Sequence, residues 1–295
     1  MTDAAQEAVA LAARTSYGRL VALLTSRTHD VAAAEDALGD AFLRALRTWP
    51  RDGIPNNPDA WLLAAARRRL IDGVRHATVR QRSEPELVQA AVLRDIAAPD
   101  AVLADRRLEL LFTCAHPAID RSIHTPLMLQ VVLGLEASEI ASAFLVAPAA
   151  MAQRLVRAKR KIRDARIPFE VPDADQLAPR LDAVLEAIYA AFGAGWDALE
   201  GSDPQRTDLT DEAIFLGRLV VEALPDAVEA QGLLALMLYC HARRHARRDV
   251  TGAYVPLAQQ RPAAWDQRMI GEAETLLTRA AAMAQPGRFQ LEAAI

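Results

Sequence analysis

Only two of the 295 residues are cysteines, and Cys114 and Cys240 lie far apart in the chain, so no disulfide framework is implied. Aromatic residues make up 5% of the sequence. Runs of β-branched residues are scarce, and no segment alternates apolar and polar positions with the period of two that a half-buried strand requires. The expectation is an all-α protein. Lysine is nearly missing: Lys159 and Lys161 are the only two, and arginine supplies the remainder of the 34 basic side chains. No uninterrupted apolar run is long enough to span a bilayer. The start, MTDAAQEAVALAARTSYGRL, lacks the positive charge that opens a signal peptide. From these absences we expect a cytoplasmic protein. There is no phosphate-binding loop, dinucleotide glycine motif, HExxH or GxSxG, so enzymatic chemistry is not expected. Cys114 with His116, and Cys240 with His241 and His245, are close in sequence but supply no set of four ligands at a characteristic spacing. We therefore expect no metal and no cofactor.

What the chain does contain is alanine-rich helical periodicity and an uneven charge. Residues 1–170 carry 23 basic and 20 acidic side chains, whereas residues 171–295 carry 11 and 18. A mildly basic front and an acidic rear suit a nucleic-acid-binding part joined to a protein-facing part.

The most informative stretch is 134–166. A short helix signal, a break at Leu145-Val146-Ala147 and a second helix opened by Pro148 make a helix-turn-helix pattern. In the second helix Met151, Leu155, Ala158 and Ile162 fall on one face and should pack inward. The opposite face carries small Ala149 and Ala150, then Gln153, Arg154, Arg157, Arg160 and Lys161. Slim leading residues followed by cations are what a helix in the DNA major groove needs, since base edges lie deep and phosphates flank them.

Upstream, residues 4–27 read as one helix. Asp30 is positioned to cap a second over 31–48, with Ala34, Leu38, Ala41, Phe42 and Ala45 as its apolar stripe. Three prolines and a glycine between Trp49 and Pro58 predict a loop over 49–58. A helix over 59–79 follows, carrying Trp61 and the cluster Arg67-Arg68-Arg69. The segment 83–100 reads as a linker. Helical signal returns over 101–114 and 122–134, and four further helices are expected at 177–199, 208–224, 226–242 and 265–284. Antiparallel hairpins like tetratricopeptide units are plausible there, although no clean repeat period is visible. The basic run Arg243-Arg244-His245-Ala246-Arg247-Arg248 is expected to pair within its own chain.

AEDALGDAFLRALRTWP, AWLLAAARRRLIDGVR and EIASAFLVAPAAMAQRLVRAKRKIR occur in an order and spacing that resemble regions 2 and 4 of extracytoplasmic-function (ECF) sigma factors. The resemblance covers roughly residues 10–168. With the segments DEAIFLGRLV and LLALMLYCHARR beyond it, the chain resembles the ECF42-type subgroup, which has a C-terminal tetratricopeptide-like extension. Members of that subgroup are longer, which implies that this sequence ends within the extension.

The resemblance implies four parts: a region 2 domain over 1–82, the linker 83–100, a region 4 helix-turn-helix domain over 101–170, and a regulatory helical-hairpin extension over 171–295. It implies core RNA polymerase and promoter DNA as partners. Asp36, Asp40, Phe42 and Leu43 map onto the contact with the clamp helices of the polymerase largest subunit. Asp52, Asn56 and Asn57, with Arg67, Arg68 and Arg75, map onto capture of the −10 element, where a flipped base needs a stiff, polar receptacle. Ala149, Ala150, Gln153, Arg154, Arg157 and Lys161 map onto the −35 element. Two positions depart from the family pattern: Gly39 replaces a polar helix former, and Arg68 stands where asparagine is frequent. A polymerase-independent helix-turn-helix regulator is the alternative, and a helical-repeat adaptor that binds only proteins is a further rival.

Overall fold

The computed structural model describes residues 2–80, 96, 105–196, 204–249 and 251–295. Among them are thirteen α-helices and no strand, an all-α fold as the sparse β-branched runs require. The chain forms two compact units, Met1–Ala187 and Ile188–Ile295. The expected linker 83–100 lies, but for buried Ile96, outside the described residues.

The first unit opens with α1 (Thr2–Thr15) and α2 (Tyr17–Thr28), not the single helix expected over 4–27. Buried Ser16 leaves helical geometry at φ −121°, and the chain restarts with the Leu20 amide donating to the Ser16 carbonyl. α3 (Val31–Asp52) begins where the capping residue predicts, with Asp30 accepting from the Ala33 amide at 3.1 Å. Its buried face is Ala34, Leu38, Ala41, Ala45 and Trp49. Phe42, expected in that stripe, is only half-buried.

The loop expected over 49–58 is shorter, because α3 continues through Pro50 to Asp52. Proline in a last turn forfeits one helical hydrogen bond without forcing an earlier stop. Gly53, at φ +88°, ends the helix with its amide on the Trp49 carbonyl. The loop proper is Gly53–Asn57, and α4 (Pro58–Arg80) starts on a proline.

After α5 (Arg107–Cys114) and a short 3₁₀ turn, α6 (His124–Val131), α7 (Ala137–Ala143) and α8 (Pro148–Asp164) follow. α7 and α8 meet at 112°. Their turn places Leu145 at φ +54° and 95% exposed. Met151, Leu155, Ala158 and Ile162 are buried, as their spacing predicts.

α9 (Ala174–Trp196) runs across the division between the units. In the second unit α10 (Pro204–Ala223), α12 (Gln267–Ala282) and α13 (Arg288–Ala294) pack on the apolar α11 (Val228–Ala242), whose Leu233, Leu234, Met237 and Leu238 are buried. Among the described residues no single helix is long and apolar enough to cross a membrane.

Candidate nucleic-acid interface

Three surfaces of the first unit carry the residues singled out by the sequence. On α3, Asp36, Gly39, Asp40 and Leu43 are exposed, Leu43 to 54%. Leu46, one turn on, adds an exposed apolar side chain at 41%. The pattern is carboxylates beside aliphatic groups on one face, which suits a partner that is basic and partly apolar. Asp40 is engaged already: it accepts from Arg69 Nε at 2.5 Å across to α4, and that bond raises the Arg69 pKa above its usual value. Sequence reasoning took Arg67 and Arg68 from this cluster and missed that Arg69 answers the acidic helix. The spacing within α4 gave no hint, because the pair closes over 29 positions.

The second surface is the end of α3, the loop and the start of α4. Asp52, Asn56 and Asn57 are exposed. Asn57 has a structural task as well, since its side-chain oxygen accepts from the Ala60 amide at 3.0 Å and caps α4. Behind the loop Trp49 and Trp61 meet edge to face with centroids 5.5 Å apart, Trp49 buried and Trp61 half-buried. Trp61 is thus part of the packing that stiffens the loop. Arg68 is exposed on α4 and Arg67 half-buried; the side chain of Arg75 lies outside the described residues.

The third surface is the outer face of α8. Ala149, Ala150, Gln153, Arg157 and Lys161 are exposed together with Val156 and Arg160. Arg154 is half-buried and donates to Ser122 Oγ at 2.6 Å, and that hydroxyl donates in turn to Asp120 at 2.6 Å. The Ser122 bonds hold the Asp120 pKa below the carboxylate range. Asp120 and Ser122 therefore fix one arginine of the helix in place, a link from 32 positions away that the sequence pattern did not reveal.

With this geometry in view, comparison with known proteins is decisive for one part. Residues 13–80 match sigma-70 region 2. The first unit contains that domain. The match spans the end of α1, α2, α3, the loop and α4, and supports a sigma factor of the sigma-70 family. Residues 180–281 match a family of unknown function, DUF6596. Along 89% of its length the chain is 42% identical to an uncharacterized protein of Rhizobium meliloti (strain 1021), of which it spans 63%. No solved structure matches.

Other groups weighed from sequence have settled environments. Cys114 is buried, and burial pushes its thiol far above the ordinary range, so it is a core residue. His241 is buried, with Nε2 3.2 Å from the Asp211 carboxylate. In the basic run, Arg247 lies 3.9 Å from the centroid of the Trp196 ring and donates to the Trp196 carbonyl. Arg248 donates to the Gly252 carbonyl, and Arg244 to that of His241. Main-chain carbonyls and an indole are thus among the partners of a run expected to pair within its own chain.

Proposed function

We propose that this chain is a promoter-recognition factor of the extracytoplasmic-function type. In this reading it joins core RNA polymerase and carries it to promoters with specific −10 and −35 elements. The observation that carries it is the coincidence of the region 2 match over 13–80 with three exposed surfaces of suitable chemistry. The acidic and aliphatic face of α3 (Asp36, Asp40, Phe42, Leu43) docks on the polymerase clamp. The loop Gly53–Asn57, stiffened by Trp49 and Trp61, receives an unstacked base of the −10 element, and Arg67, Arg68 and Arg75 follow the strand phosphates. The α7–α8 pair works as a helix-turn-helix, with Gln153, Arg154 and Arg157 as readers of the −35 element and Lys161 at phosphate.

No bond is made or broken by the protein. Its work is to hold polymerase at a start site and to stabilise the melted strand by trapping bases. Residues 171–295 are a helical extension like that of the ECF42-type subgroup, and they adjust this activity within the same chain.

Association with purified core polymerase tests the docking face. The Asp36→Arg plus Asp40→Arg variant should fail to co-elute with core polymerase while retaining its helical circular dichroism. Undiminished co-elution would remove α3 as the docking helix. Tight, specific operator binding by the protein alone would favour a polymerase-independent regulator instead.

A further inference from the structure

The outward face of α8 carries one side chain that its neighbours do not explain. Met151, Leu155 and Ile162 are exposed by no more than 1%, whereas Val156 is 48% exposed. Ala149, Gln153, Val156 and Arg160 recur at i, i+4, i+7 and i+11 and form one exposed stripe. A single exposed valine needs no explanation on most surfaces. This one is set among cations, with Arg157, Arg160, Lys161 and Arg163 all exposed on the same helix. It is also a poorer helix former than the arginine, lysine and glutamine around it.

Two further cations of α8 are turned to other tasks. Arg154 donates to Ser122 Oγ at 2.6 Å, and Lys159 Nζ donates to Glu35 Oε2 at 2.7 Å and to Gln130 Oε1 at 3.0 Å. At about 100° per residue these two lie on opposite flanks of the stripe. The turn ahead of the helix is fixed as well. The Val146 amide donates to the Ala141 carbonyl at 2.9 Å, with Leu145 in the left-handed region at φ +54°. The stripe is therefore presented by a helix held at its start and on both sides.

A small residue, a primary amide, a branched aliphatic group and a guanidinium in one row suit the edges of the DNA major groove. A primary amide matches adenine N6 and N7, and a guanidinium matches guanine O6 and N7 or a phosphate. An aliphatic side chain has one partner on those edges, the C5-methyl of thymine. The exposed arginines supply the charge that a phosphate backbone requires. Val156 follows Gln153 by about 4.5 Å along the helix axis, against 3.4 Å per base pair. With the helix lying in the groove, the two side chains address the same base pair or adjacent ones.

We propose that Val156 is a specificity-determining residue that reads the methyl group of a thymine in the −35 element, within one base pair of the base met by Gln153. This inference rests on the function proposed above and narrows its target. The element contains a thymine whose methyl group, and not its pairing edge alone, carries discrimination.

The test removes that methyl and nothing else. The full chain with core polymerase selects promoters from a pool, which defines the −35 element. Each thymine in it is then replaced by deoxyuridine, and binding of the holoenzyme is measured. At one position the exchange should weaken binding about fourfold, which corresponds to the ~0.8 kcal/mol of one buried methylene-sized group. Val156→Ala should bind the selected element no better than the parent binds the exchanged one, and should be indifferent to the exchange at that position. Its slope of log K against log salt should stay the same, because no phosphate contact is lost. Alanine at an exposed helical position should keep the fold, which circular dichroism checks. Gln153→Ala should keep the deoxyuridine effect while relaxing the choice of base at or beside that position. An element without thymine would overturn the proposal, and so would a deoxyuridine effect of equal size in the parent and in Val156→Ala. If no start site depends on the protein, the promoter reading falls. The same exchange on duplexes selected by the chain alone then decides the role of Val156, and failure to select any duplex overturns both.

Discussion

At the scale of single residues, the fold assigns tasks to side chains that look interchangeable in the sequence. Asp30, Asp36 and Asp40 share one short acidic segment, yet Asp30 caps a helix, Asp40 meets Arg69 and Asp36 stays exposed. Removing the cap by Asp30→Ala should destabilise the first unit by about 1 kcal/mol in urea unfolding. A change near zero would mean that α3 starts without it. Cys114, with its raised thiol pKa, should resist alkylation in the native protein and react only after denaturation, whereas half-exposed Cys240 should react first. Thiol counting with and without denaturant checks this.

The Asp211 pKa is lowered, chiefly by the hydrogen bond from His241. A carboxylate lowered on folding adds stability at pH above its unfolded value, and that contribution disappears as pH falls through the folded value. Asp211→Asn should therefore flatten the loss of second-unit stability in acid, measured by thermal unfolding from pH 7 down to pH 3. An unchanged acid slope would show that the pair contributes nothing.

At the scale of elements, much was legible because helices announce themselves through local rules. The stripe Met151, Leu155, Ala158 and Ile162 was readable since burial at a 3.6-residue period needs no knowledge of what covers it. The start of α3 was readable from one capping side chain. Pro50 misled because a proline marks where a helix loses a bond, and in a last turn that loss does not end it. Ser16 misled in the other direction: nothing in its neighbours breaks the periodicity, and the break reflects how α2 packs. The partners of the candidate site were not legible at all. Lys159 finds Glu35 over 124 positions and Arg154 finds Ser122 over 32, and such pairings follow from the tertiary fold.

Gly39 is a second departure from local rules, this time within an element. A Cβ there would meet nothing within 4 Å, so the glycine is not required by packing in the free chain. Gly39→Ala should stabilise α3 by about 1 kcal/mol, raising the midpoint of urea unfolding. A loss of stability instead would reveal a steric need that the fold does not display. Co-elution of the same variant with core polymerase would show whether the missing side chain matters to docking.

At the scale of the whole molecule, the proposed function asks the acidic face of α3, the loop Gly53–Asn57 and the cationic face of α8 to act together on one promoter. Promoter binding by the assembled polymerase should be salt-dependent, and Arg157→Ala should reduce the slope of log K against log salt by about 0.9 if that arginine neutralises one phosphate. If it reads a base instead, the slope should hold and discrimination at one position should fall.

The most direct measurement of the central claim is transcription in vitro with purified core polymerase and a pool of promoter fragments, with and without this protein. New start sites that depend on the protein and vanish with Asp36→Arg plus Asp40→Arg are the expected result. Start sites identical with and without the protein would contradict it.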